Sequence, residues 1–160
     1  MNGPADSRPI SRRRTRSRNA RGTTSVEMAL VLLLFLTLVL GMLDLGIGVF
    51  RYNLLAQAAR QGARQAIVHG TLADRLGPWG PQSYSGQGDD SHPVADAVRP
   101  SLTAFDPSEV GIQADWIDGD NEFEKRVRIA VSAPYRPIMT FIFGNPTFTL
   151  RGTSTMPIAH

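Results

Sequence analysis

Hydrophobic residues along this chain fall into one long run followed by shorter, periodic groups. The run is MALVLLLFLTLVLGMLDLGIGVF, Met28 to Phe50, in which Asp44 is the sole charged residue. Sixteen consecutive residues, Met28 to Leu43, carry no charge at all. As a helix, these 23 residues rise roughly 35 Å, enough to cross a hydrocarbon core of about 30 Å with some tilt. Lipid offers no partners to backbone N–H and C=O groups, and a helix satisfies them internally. The run therefore predicts a membrane-spanning helix.

After Phe50 the pattern changes without a proline or a turn cluster. Leu55, Ala58, Ala59, Gly62 and Ala66 recur at helical spacing and form one stripe of small apolar residues. Arg51, Gln57, Arg60, Gln61 and Arg64 fall mostly elsewhere. The helix is expected to continue to about Val68, with Gly70 as its C-cap. A stripe of small residues suits close packing, and the protein's own sheet is the expected neighbour.

Residues 70–92, rich in Gly, Pro, Ser and Asp, read as a long flexible surface loop. A short helix is expected from Val94 to about Phe105, interrupted near Pro100. Glu109–Ile117 alternates, with Ile112, Ala114 and Trp116 on one face, and Asp118-Gly119-Asp120-Asn121 is turn chemistry. In Lys125–Tyr135, Val127, Ile129 and Val131 face one way and Arg126, Arg128 and Ala130 the other. Ile138–Phe143 reads as an apolar connection, and Phe148–Met156 as a last strand with Phe148, Leu150 and Met156 inward. The expected fold is α+β: a long N-terminal helix, membrane-spanning in its first half and amphipathic in its second, on a small antiparallel sheet of three or four strands. The expected organisation is a basic leader at 1–22, a transmembrane helix at 23–50, its amphipathic extension at 51–69, and an outer domain at 70–160.

Charge adds a direction to this plan. The 160-residue chain has a net charge of +3, but residues 1–27 hold seven arginines (Arg8, Arg12, Arg13, Arg14, Arg16, Arg18, Arg21) against Asp6 and Glu27. Residues 52–160 are slightly acidic. No aromatic side chains stand among the arginines to stack on bases, so nucleic acid is not the expected partner. Basic residues before an apolar span instead set its topology, with the N-terminus cytoplasmic and residues 52–160 outside. Two other readings compete. A secretory signal with a small-residue site at Ala56-Gln57-Ala58 would have a shorter apolar core than this run. A twin-arginine signal at Arg12-Arg13 would have a less hydrophobic one.

Between the arginines and the run stands Arg21-Gly22-Thr23-Thr24-Ser25-Val26-Glu27-Met28-Ala29. Thr23 or Thr24 can cap the helix, with Glu27 in its first turn. Capping does not explain why a carboxylate borders an apolar span, where it is costly without a partner. The junction resembles the precursors of type IV pilin-like proteins, in which a basic leader ends in glycine and a prepilin peptidase cuts after it. The fifth mature residue in that family is a glutamate. Here that resemblance implies cleavage between Gly22 and Thr23 and makes Glu27 the fifth residue. It also implies that the new ammonium pairs with the Glu27 carboxylate, usually of a neighbouring subunit, inside an apolar assembly.

With Gly41-Met42-Leu43-Asp44-Leu45-Gly46 and Ala59-Arg60-Gln61-Gly62-Ala63-Arg64-Gln65-Ala66 added, residues 21–66 resemble the TadE-like family of pilus-assembly proteins. The resemblance implies a single-pass protein of the bacterial inner membrane, a pseudopilin that supports assembly of a tight-adherence (Flp-type) pilus. Its implied partners are the membrane, a prepilin peptidase, the major pilin, sister pseudopilins and the secretion platform. Glu27 and Asp44 would be its membrane-helix charges. Asp44, about 25 Å along a helix from Glu27, is expected at the outer interface and exposed to water; a contact with Arg51 or a partner helix is the alternative.

Catalysis is not expected. Cysteine is absent, and His69, His92 and His160 are not at ligand-like spacing. Asp115, Asp118, Asp120, Glu122 and Glu124 lack the spacing of a calcium loop and read as a solvated hairpin tip. No cofactor, metal or small-molecule substrate is implied. The competing functional reading is a membrane-anchored extracytoplasmic binding module, unrelated to pili, that uses the loop 70–92.

Overall fold

The computed structural model describes residues 20–73, 76–139, 144 and 147–159, with side chains from Thr23 onward. A single helix, α1, runs from Ala20 to Ala66. Its Thr23–Ala66 stretch is long and apolar enough to cross a membrane. The chain divides into two compact units, one ending at Val39 and the other starting at Leu40.

In the first unit every side chain from Thr23 to Leu36 is exposed, Leu34 reaching 71%. The Thr37 hydroxyl donates to the Leu33 carbonyl at 2.8 Å, so that even this polar group is satisfied within the helix.

The second unit is a four-stranded antiparallel sheet covered by the end of α1 and by a short helix. Its strands are β1 (Tyr84–Gln87), β2 (Gly111–Trp116), β3 (Arg126–Tyr135) and β4 (Phe148–Pro157). They lie side by side in chain order, with α2 (Pro93–Val98) between β1 and β2. The alternation of β2 and β3 is used as the pleat requires. Ala114 pairs with Ile129 and Trp116 with Val127, and all four are buried with Ile112 and Val131. Ala130 is buried too although it lies on the other face, between its register partners Gln113 and Thr153.

Leu55, Ala58, Ala59, Gly62, Ala63 and Ala66 of α1 are buried, five of them in one core with β2, β3 and α2. Their smallness is what lets the helix approach. A Cβ on Gly62 would stand 2.8 Å from Val98 and 3.2 Å from Ile129. On β4, a Cβ on Gly152 would collide with the backbone of Leu55 and Ala56, so that helix and strand meet main chain to main chain. The helix ends at Ala66, two residues short of the expected Val68. Its end is tied to the β2–β3 connection by Asn121, which is fully buried. Asn121 Nδ2 donates to the His69 carbonyl at 3.0 Å, and its Oδ1 accepts from Trp116 Nε1 at 2.7 Å.

Two expectations need correction. The segment 70–92 is not all loop, because Tyr84–Gln87 pairs with β2 as an edge strand. Tyr84-Ser85-Gly86-Gln87 has one large apolar residue and a glycine, too little pattern to announce a strand. Polar contacts order its far end: the Tyr84 hydroxyl and the Gln87 N–H both donate to Asp90 Oδ2, at 2.9 and 2.8 Å. Burial, with Asp90 beside it, pushes the Tyr84 hydroxyl up to about 12. Phe148, expected to face inward, is 52% exposed. It opens β4 opposite Tyr135 and lines a groove beside α1 rather than the core. Of the connection 138–143, only Ile138 and Met139 lie among the described residues.

At the β2–β3 turn, Arg126 Nη2 and Asp118 Oδ1 are 2.7 Å apart, and the Arg126 N–H donates to Asp118 Oδ2 at 2.9 Å. The guanidinium and this N–H hold the Asp118 carboxyl at about 2, below its ordinary value. A carboxyl so depressed stabilises the fold above its ordinary value of about 3.9 and loses that contribution as pH falls toward about 2. An NMR titration should therefore find the Asp118–Arg126 contact intact at about pH 4 and broken only as pH approaches 2. For the helix–strand contact, Gly152→Ala should lower stability by roughly 1–3 kcal/mol. Gly46→Ala, whose Cβ meets nothing within 4 Å, should leave stability unchanged or raise it. Denaturant unfolding of the detergent-solubilised chain measures both.

Candidate functional site

Gly41, Asp44 and Gly48 stand at i, i+3 and i+7, and so share one face of α1. Against this face lies the end of β3 with the residues after it. Both glycines provide room: a Cβ on Gly48 would touch the Tyr135 ring at 3.6 Å, and one on Gly41 would touch Met139 Sδ at 3.8 Å. Between them Asp44, 8% exposed, turns its carboxylate onto the backbone of the approaching segment. Oδ1 accepts from the Ile138 N–H at 2.7 Å, and Oδ2 accepts from the Met139 N–H at 2.9 Å. The Tyr135 hydroxyl donates to the Asp44 carbonyl at 2.8 Å and lies 3.4 Å from Oδ1.

Two consecutive N–H groups on the two oxygens of one carboxylate form a charge-assisted clasp. Asp44 is thus not the water-exposed interfacial carboxylate expected from its position. Nor is Arg51 a partner of its carboxylate: the Arg51 guanidinium lies over the rings of Phe105 and Tyr135, at 5.5 and 5.7 Å. Burial raises the Tyr135 hydroxyl above its ordinary value, and the charge and hydrogen bond of Asp44 add to this.

The other residues singled out in the sequence are placed as follows. Glu27 and Thr23 are exposed on α1, and Gly22 and Arg21 belong to the same helix. Thr23 and Glu27, four apart, fall on neighbouring turns of one face. Arg12, Arg13, Arg14, Arg16 and Arg18 lie outside the described residues. Leu55, Ala59, Gly62 and Ala66 face the sheet and α2 and are occupied there by the chain's own core. Among the described residues no group of three or more His, Asp or Glu is arranged to hold a metal ion. Tyr135, Ile138 and Met139 escaped sequence reasoning. Two of the three contribute backbone N–H groups, which carry no residue signature, and they lie 94 and 95 positions from Asp44.

Residues 22–64 match the family model described as TadE-like protein. This stretch of the chain is TadE-like. The match takes in Glu27, the Gly41–Asp44–Gly48 face and most of the small-residue stripe, and it ends within α1. The TadE-like family is a pilus-associated structural family, and with the apolar helix the match points to a protein related to tight-adherence pili. Neither curated proteins nor solved structures give a match to this chain.

The clasp is tested by Asp44→Asn, which replaces one accepting oxygen by an amide that faces an N–H. Hydrogen exchange at the Ile138 and Met139 amides should accelerate by about tenfold or more, with β2 amides unchanged. Tyr135→Phe should give a smaller acceleration, because it leaves the two carboxylate bonds in place.

Proposed function

We propose that this chain is a membrane-anchored pseudopilin of the TadE type that supports assembly of a tight-adherence pilus without catalysing a reaction. The observation that carries the reading is the TadE-like match over residues 22–64, a stretch that contains both the apolar run and Glu27 at its start. In this reading the helix crosses the bacterial inner membrane once, with the arginine-rich leader in the cytoplasm and the sheet outside.

A prepilin peptidase removes the leader after Gly22. The ammonium then created on Thr23 sits one helical turn from Glu27 of its own chain, and within reach of Glu27 on a neighbour packed alongside. Opposite charges in a medium of low dielectric constant hold the two together, whereas either one alone would oppose assembly. The exposed apolar surface from Val26 to Leu36 supplies the packing. Major pilin, sister pseudopilins and the secretion platform are the partners.

Intact-mass measurement of the membrane-extracted protein should find a chain that starts at Thr23. A chain that keeps its arginines would make it a permanent anchor instead. Glu27→Ala should leave the protein in the membrane fraction but reduce surface pili by about tenfold or more, the scale of one lost charge pairing. Normal piliation in that variant would favour a tethered binding module.

A further inference from the structure

Among the described residues, the Asp44 clasp has an open side. Beside it, between α1 and the start of β4, lies a groove of about 980 Å³. Leu45 and Val49 form its helix wall, Phe148 and Leu150 its strand wall, and Pro137 and Tyr135 lie between them. The buried polar groups beside it make no demand on an occupant, since the Asp44 carboxylate accepts two N–H donors and the Tyr135 hydroxyl donates to the Asp44 carbonyl. Its walls are more apolar than a water-facing surface should be: Leu45 is 73% exposed and Phe148 52%, and Ile138, between the lining residues Pro137 and Met139, is 57% exposed.

We propose that this groove takes up lipid acyl chains of the outer leaflet, and that Ile138 and Phe148 enter that leaflet beside them. The inference rests on the membrane-spanning reading of Met28–Phe50. Asp44 belongs to that run, six positions before its end. Ile138 is hydrogen-bonded to Asp44 directly and is therefore held at a depth where the run itself meets hydrocarbon. Farther along the helix, Tyr52 lines the groove and Arg51 leans on the Tyr135 ring. Tyrosine and arginine at that level match the headgroup zone, where an apolar body and a polar tip are both satisfied.

Acyl chains fit the groove better than the helix of a second subunit does. Close helix association in lipid uses small residues that let backbones approach. Here Gly41 and Gly48 are already filled by Met139 and Tyr135, and the open walls are branched or aromatic.

The absence of cysteine from the chain permits a direct test. Leu34→Cys, Ile138→Cys, Phe148→Cys and Thr153→Cys, all at exposed positions, are nitroxide-labelled singly. Each full-length variant is reconstituted in phosphatidylethanolamine–phosphatidylglycerol vesicles, and relaxation by oxygen is compared with relaxation by a water-soluble nickel chelate. Labels at 138 and 148 should follow the label at 34, reached by oxygen and shielded from nickel, while the label at 153 behaves oppositely. If 138 and 148 behave like 153 while 34 stays lipid-like, the groove stands in water and the inference fails, with the membrane span intact. If 34 also behaves like 153, the span itself is wrong and the inference falls with it. Shielding of 138 and 148 from both reagents, or dipolar broadening between their labels, would put a second copy in the groove and overturn the lipid assignment.

Discussion

A carboxylate inside an apolar run has to be solvated by something, and here the solvent is peptide backbone. Asp44 is the sole charge between Met28 and Phe50, and its oxygens accept the N–H groups of Ile138 and Met139. A backbone donor cannot be removed by changing a side chain, short of proline. The pairing is therefore tolerant of sequence at 138 and 139 and strict at 44. It also bears on where β3 ends, because the residues just after Tyr135 are held against the helix.

The two glycines flanking Asp44 extend this constraint in both directions. At Gly48 a side chain would contest the position of the Tyr135 ring, and at Gly41 that of Met139. Glycine in a helix weakens it by up to about 1 kcal/mol relative to alanine, a cost that close contact with a neighbouring segment explains. Gly46, between them, meets nothing nearby, and nothing in the structure of this chain accounts for it. The face that bears Asp44 thus docks the residues that follow β3, whereas the side chains from Val26 to Leu36 are exposed.

Much of the architecture was legible because its signals are local. Uninterrupted apolarity gave the helix, the small stripe at Leu55–Ala66 gave its packed face, and alternation in Ile112–Trp116 and Val127–Val131 gave the central strands. Edges were harder. β1 pairs on one side only, so it needs no hydrophobic alternation. Phe148 alternates correctly, yet it lines a groove beside α1 instead of entering the core. The site was legible by halves: Glu27 and Asp44 stand out because charge in an apolar stretch is conspicuous, but the groups that answer Asp44 are main-chain amides nearly a hundred positions away. No pattern of side chains along the sequence encodes that meeting.

The order of the sheet has a consequence for how the molecule comes into being. Strands that lie in space as they lie in sequence are completed one after another, and it is β4, the fourth, that touches the helix through Gly152. The strand neighbour of Leu55 and Ala56 is made almost a hundred residues after them. Contacts of such long sequence separation form slowly. Until Gly152 is made, Leu55 and Ala56 lack the backbone that packs on them, whereas Gly62, farther along the helix, can already meet Val98 and Ile129.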